Sequence, residues 1–185
     1  MLKTRTGLLC AVMIAVMGGS IEAVPDSSGN GESEALQTFL RCSNNVMVTS
    51  LGLEIHYKQV PATNIQTSSL RSGTASKEIR KFLAGFARIS FTNPLKVGNS
   101  ILHPGDYTLG LLEEKTGSGK WFFNVLEPET GHTLLRLEPV FDTLGPTTCA
   151  RVMTMEIDRR AGSNKFKIKM RWGDLCITTK ETLEI

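Results

Sequence analysis

The chain has 185 residues, 41% hydrophobic and 21% charged, with a formal net charge of +3. Its composition is that of an ordinary globular protein long enough for one core. Two of its cations, Lys3 and Arg5, fall in an apparent leader, so the remaining surface is nearly balanced. That excludes a dedicated nucleic-acid binder, which carries a strong basic excess.

The first 23 residues read as a signal peptide. Lys3 and Arg5 form a positive start, residues 7–17 (GLLCAVMIAVM) are uninterruptedly apolar, and Gly18, Gly19, Ser20 and Ala23 supply small residues for cleavage after Ser20 or Ala23. The apolar run is shorter than the roughly 20 residues of a membrane-spanning helix. Cys10 lies inside it, behind Leu9, and reads as an ordinary apolar residue of the leader rather than a lipid-anchored one. The expected location is therefore periplasmic or secreted.

Residues 24–33 (VPDSSGNGES) form a flexible lead-in, and residues 34–185 a single domain. In residues 34–41, Leu36, Phe39 and Leu40 have helical spacing. Residues 46–58 are strand-like, and the polar stretch 61–74 reads as a long loop. Ser76 has the form of an N-cap for a helix over 77–83, where Ile79, Phe82 and Leu83 share a face. Beyond Gly85 the pattern alternates. Ala87, Ile89 and Phe91 share one side, Tyr107, Leu109 and Leu111 the next, then Trp121, Phe123 and Val125, then Thr133, Leu135 and Leu137. His103-Pro104-Gly105-Asp106 predicts a type II turn, and the Gly-containing stretches 116–119 and 129–131 predict hairpin turns.

Residues 165–172 (KFKIKMRW) alternate basic and apolar. Gly173-Asp174 turns the chain, and residues 175–184 return with Leu175 against Trp172, Ile177 against Met170 and Thr179 against Ile168. The fold class is thus mainly all-β, an antiparallel β-sandwich or barrel of about eight strands with two short helices. If residues 149–157, 164–172 and 175–184 form a meander, Cys149 and Cys176 lie about 10 Å apart at strand spacing. That exceeds the roughly 7 Å a disulfide spans, so the two are not bonded to each other. Cys42 is then bonded to Cys149, to Cys176 or to neither.

The run Ile101-Leu102-His103-Pro104-Gly105-Asp106-Tyr107-Thr108-Leu109, followed by Trp121-Phe122-Phe123-Asn124 and a late Lys167-Ile168-Lys169-Met170-Arg171-Trp172 strand, resembles the bacterial exported family known as domain of unknown function 2911. In that family a G-x-x-L-x-x-G-x-Y-x-L strand precedes W-x-x-x-x-N, and a late L-x-W strand closes the domain. The resemblance covers the second half of the chain and implies a sandwich with a signal peptide. The family's R-P-x-x-x-G-R and W-R-x-G-A-N segments have no counterpart in residues 52–90, so it implies no activity.

No catalytic residue, metal or cofactor is expected. His56, His103 and His132 lack ligand spacing, and no Ser or Cys stands in a nucleophile motif. Glu113 and Glu114 point to opposite faces and read as a solvated strand end. Trp121, Trp172 and Tyr107 sit in the apolar register and read as core. The one suggestive surface is the basic stripe Lys165, Lys167, Lys169 and Arg171, with Thr178 and Thr182 opposite, Lys180 facing Lys167, and no carboxylate to neutralise it. It points to a non-catalytic binding module for an acidic glycan, a lipid headgroup or a protein partner. A small-ligand carrier or hydrolase is the alternative.

Overall fold

The computed structural model describes residues 44–62, 67–145 and 147–185. The leader, the lead-in, the helix expected over 34–41 and Cys42 lie outside the described residues. In chain order the elements are β1 (Asn44–Ser50), β2 (Leu53–Gln59), α1 (Thr67–Arg71), α2 (Lys77–Leu83), β3 (Ala87–Phe91), β4 (Leu95–Val97), β5 (Ser100–Leu102) and β6 (Gly105–Glu113). There follow β7 (Trp121–Leu126), β8 (Thr133–Leu137), β9 (Pro139–Thr143), β10 (Ala150–Arg159), β11 (Lys165–Gly173), β12 (Leu175–Thr179) and β13 (Leu183–Glu184). Among the described residues no helix is long and apolar enough to cross a membrane.

Two antiparallel sheets face each other. The first runs β1-β2-β3-β6-β7-β8. The second runs β5-β4-β13-β11-β12-β9, with β10 on the other side of β11. Their facing sides carry the residues that alternation assigned to the core, Ile89, Leu109, Phe123 and Leu137 from the first and Phe166, Ile168, Met170 and Trp172 from the second, joined by Ile55 of β2. Burying a side chain such as Phe123 contributes about 2–3 kcal/mol. The helices tie the sheets together at one end. The Trp121 indole N–H in the first sheet donates to the Leu70 carbonyl of α1 at 2.7 Å. The Phe82 ring of α2 meets Trp172 of the second sheet at 5.5 Å.

The sandwich is sewn along both sides without closing into a barrel. Beyond β2, the chain leaves the first sheet and pairs with β10: Met153 N donates to Val60 O (2.8 Å) and Ala62 N to Arg151 O (2.7 Å). On the opposite side β8 passes through Glu138 directly into β9, and Lys180 N donates to the Glu138 carbonyl at 2.7 Å.

Helix α2 forms where expected, with Ser76 Oγ accepting from Ile79 N (3.3 Å). The Trp172–Leu175 and Met170–Ile177 registers also stand as read. Four expectations change. Among the described residues thirteen strands replace about eight, because β4, β5 and β13 have only two or three residues and residues 46–58 hide a hairpin. The expected loop 61–74 contains α1, held by tertiary contacts that pattern does not carry: Thr67 N donates to Asp174 Oδ1 (3.2 Å), and Leu70 is buried. Gly105 has φ +159° rather than the value near +80° of a type II turn, since it enters β6 opposite Phe91. The returning strand splits because Ile168 N bonds the Thr179 side chain (3.2 Å) and Lys180 leaves for Glu138, so β13 takes over beside Lys165 and Phe166.

Candidate functional site

The basic stripe lies on the outward side of β11, as its alternation requires, but it is not a free cationic face. Its second neighbour is β10, where Thr154, Glu156 and Asp158 stand opposite Arg171, Lys169 and Lys167. Glu156 lies 3.3 Å from Arg171 Nε and 3.9 Å from Lys169 Nζ, and Glu184 lies 3.9 Å from Lys165 Nζ. Lys180, expected beside Lys167, instead pairs with Glu138 at 2.6 Å. The expectation of an unneutralised stripe considered only the returning strand; the strand on the other side supplies the carboxylates.

A different surface is concave. The outward side of the first sheet carries a groove of about 660 Å³. Its floor is the cross-strand row Met47, His56, Arg88 and Thr108, which the ladder registers place side by side. Phe82 and Phe86 close one end, and Lys58 stands beside His56 on β2. Met47 is 50% exposed. Arg88 lies 2.7 Å from Asp106 and His56 3.1 Å from Glu54, both pairs exposed to solvent. The groove thus combines apolar side chains with cations and is open to solvent along its length.

This row was missed because its strands are joined by Leu51-Gly52, a turn without the Asn-Gly or Asp-Gly signal. Both residues have positive φ (58° and 74°). Leu51 there is an uncommon conformation for a side chain of its size. The alternation within 53–59 was the available signal, and it becomes readable once a turn is placed at 51–52.

Glu113 and Glu114 also part company. Glu114 is exposed between Lys120 (3.0 Å) and Arg136 (3.1 Å), and the Lys120 hydrogen bond holds its carboxyl below the usual carboxylate range. Arg136 in turn lies 3.4 Å above the Phe122 ring, covering an apolar side chain that faces outward. Glu113, read as solvated, is half-buried, with its carboxylate turned inward. Its carboxylate accepts from Gly119 N (2.6 Å) and Gly117 N (3.0 Å) in the β6–β7 turn and sits 3.1 Å from Arg80 Nε of α2. That nitrogen has no hydrogen-bond partner, so the contact is ionic, while Arg80 Nη2 donates to the Gly73 carbonyl. The chain between the helices lies against the turn through glycines: a Cβ on Gly119 would sit 1.8 Å from the Arg71 carbonyl oxygen.

The remaining candidates are structural. Trp121 and Trp172 are buried, the Trp172 indole N–H donating to Pro61 O at 3.1 Å. Tyr107 stacks on Phe91 at 5.0 Å and donates its hydroxyl proton to His103 O at 2.8 Å. Cys149 is exposed and Cys176 buried, and both are free, flanking β11 as the meander requires. Among the described residues no three His, Cys, Asp or Glu side chains gather into a metal site. No protein-family model, no curated protein and no solved structure matches the chain.

Proposed function

We propose that this chain is an exported, non-catalytic binding module whose contact surface is the groove across β1, β2, β3 and β6. The observation that carries the reading is where the space lies. Between the sheets, Trp172, Phe123, Phe166 and Leu109 fill the interior, while the open volume is a surface groove on the outward side of the first sheet. Met47 and Phe82 supply apolar contact, Lys58 supplies positive charge, and Arg88 adds a guanidinium shared with Asp106. That chemistry fits a protein segment carrying apolar side chains next to a carboxylate. Export to the periplasm or the medium rests on the leader-like residues 1–23. The resemblance to domain of unknown function 2911 belongs to the same proposal and rests on the motifs at 101–109, 121–124 and 167–172.

Selection of random displayed dodecapeptides against the purified chain tests the groove. Recovered sequences should combine Asp or Glu with aromatic or aliphatic residues. Lys58→Glu with Arg88→Glu should weaken their binding at least about tenfold, the scale of one desolvated charge pair. Native mass spectrometry of protein recovered from a bacterial periplasm separates this reading from a carrier. The module should show the mass of its own polypeptide or a multiple of it, with a sequence beginning at Ile21 or Val24. A retained small molecule, or peptides whose binding ignores the double substitution, would sink the proposal.

A further inference from the structure

Strand β1 is an edge: among the described residues its only ladder partner is β2. The hairpin turns through Leu51 and Gly52, both at positive φ, so Ser50 and Leu53 form the hydrogen-bonded closing pair. Alternation then aims the N–H and C=O of Asn45, Met47 and Thr49 away from β2. Proteins blunt such edges with charge, proline, bulges or brevity, and the other edges of these sheets show each device. β8 carries Arg136, β9 opens on Pro139, β5 has three residues, and β10 is bulged and covered by Val60–Ala62. β1 has none. Its seven residues, NNVMVTS, are uncharged, proline-free and paired without a bulge.

The strand also has the same polarity in both directions: two polar residues, three apolar, two polar. We propose that the edge takes a second copy of this chain, β1 pairing antiparallel with the β1 of another protomer about a two-fold axis through Met47. The pairing joins residues whose backbone groups point outward, Asn45 with Thr49 of the partner subunit and Met47 with its own copy, and forms about six hydrogen bonds. The side-chain rows continue across the axis. On the outward side Lys58 and Asn45 run into the partner's Thr49 and the partner's Glu54, a polar row in which no like charges stand opposite each other. On the inward side Tyr57 and Val46 run into the partner's Val48 and the partner's Ile55, an unbroken apolar row. Val46 and Val48, only partly buried in one chain, gain cross-strand neighbours, and half-exposed Met47 is covered by its copy. The interface is isologous and closes at two subunits. It goes beyond the binding reading and does not depend on what the groove holds, although it brings two grooves together along one continuous sheet.

Sedimentation of the full chain from about 1 to 200 μM, the range in which so small an interface dissociates, should show a reversible shift to twice the chain mass. Met47→Lys puts two like charges on the axis and should weaken association at least about tenfold while leaving the circular dichroism spectrum and melting curve unchanged at about 1 μM, where both proteins are monomeric. A positional check uses Met47→Cys in a Cys42→Ser, Cys149→Ser background. The axis spaces the two Cα atoms by about 5.5 Å, within disulfide reach, so oxidation should give a covalent dimer that Thr49→Cys does not. The proposal is overturned by a monomer at every concentration, by a dimer indifferent to Met47→Lys, or by equal crosslinking at both positions. It is equally overturned if the outward-pointing amides of Asn45, Met47 and Thr49 resist hydrogen exchange independently of concentration, which would mean that the edge is covered within a single chain.

Discussion

The carboxylates of Glu113 and Glu156 each face, at just over 3 Å, a buried arginine Nε that has no hydrogen-bond partner, yet the carboxylates themselves sit in different surroundings. Glu113 ends β6 with its side chain 4% exposed, surrounded by two turn amides and Arg80. Glu156 lies on an open strand face, 41% exposed, sharing its charge between Lys169 and Arg171. The first cluster joins four pieces of chain: α2, the glycine segment before it, the end of β6 and the β6–β7 turn. The second connects two strands already joined by their backbone ladder. A single carboxylate in a buried corner therefore carries more of the fold than a row of four cations on a solvated face. Charge density along the sequence is a poor guide to which is which.

The sharpest way to break this comparison is Glu113→Ala. It leaves two turn amides without their acceptor and Arg80 without its counter-ion, and should cost about 3–5 kcal/mol in urea unfolding. Adding Arg80→Met should recover part of that loss, because a missing pair is less costly than a half pair. A loss below about 1 kcal/mol would place Glu113 with the surface carboxylates. Next in size is Gly119→Ala. Its φ of +66° alone disfavours a side chain, and the contact with the Arg71 carbonyl adds to it, for a cost of at least about 2 kcal/mol. Gly131→Ala is the matched control: φ is +69°, but nothing lies within 4 Å of the added carbon, so only the conformational part, about 1 kcal/mol, should appear. Equal melting shifts for the two alanines would remove the close approach from the account. The smallest effect is expected at the stripe, where Glu156→Gln should change stability by no more than about 1 kcal/mol and that change should fade in 1 M salt.

Alternation made most of the sandwich readable. Each apolar run from Ala87 to Leu137, and the β11–β12 hairpin, needs only period-two spacing to assign its buried side. What escaped depends on contacts between distant residues. Helix α1 has five residues, too few for its own propensity to matter, and stands because Thr67 bonds Asp174 and Leu70 meets Trp121. The neutralisation of the stripe was hidden for the same reason: reading one hairpin assigns one neighbour to β11, whereas a central strand has neighbours on both edges. The groove sits between these cases. His56, Lys58 and Arg88 stand in runs already read as strand-like, but their assembly with Met47 and Thr108 into a row needed the unmarked turn at Leu51-Gly52.

The ladder through β13 sets the order in which this molecule can be completed. Among the described residues the β4–β5 hairpin joins the second sheet through Leu183 and Glu184, which pair with Val97 and Lys96 on one side and with Phe166 and Lys165 on the other. The seam at Val60–Ala62 likewise waits for residues 151–153. Both closures join parts of the chain about ninety residues apart, and such contacts form late because loop closure precedes any gain from them. A chain emerging from the ribosome thus holds its first sheet without the partner that covers it until nearly all of the sequence is available.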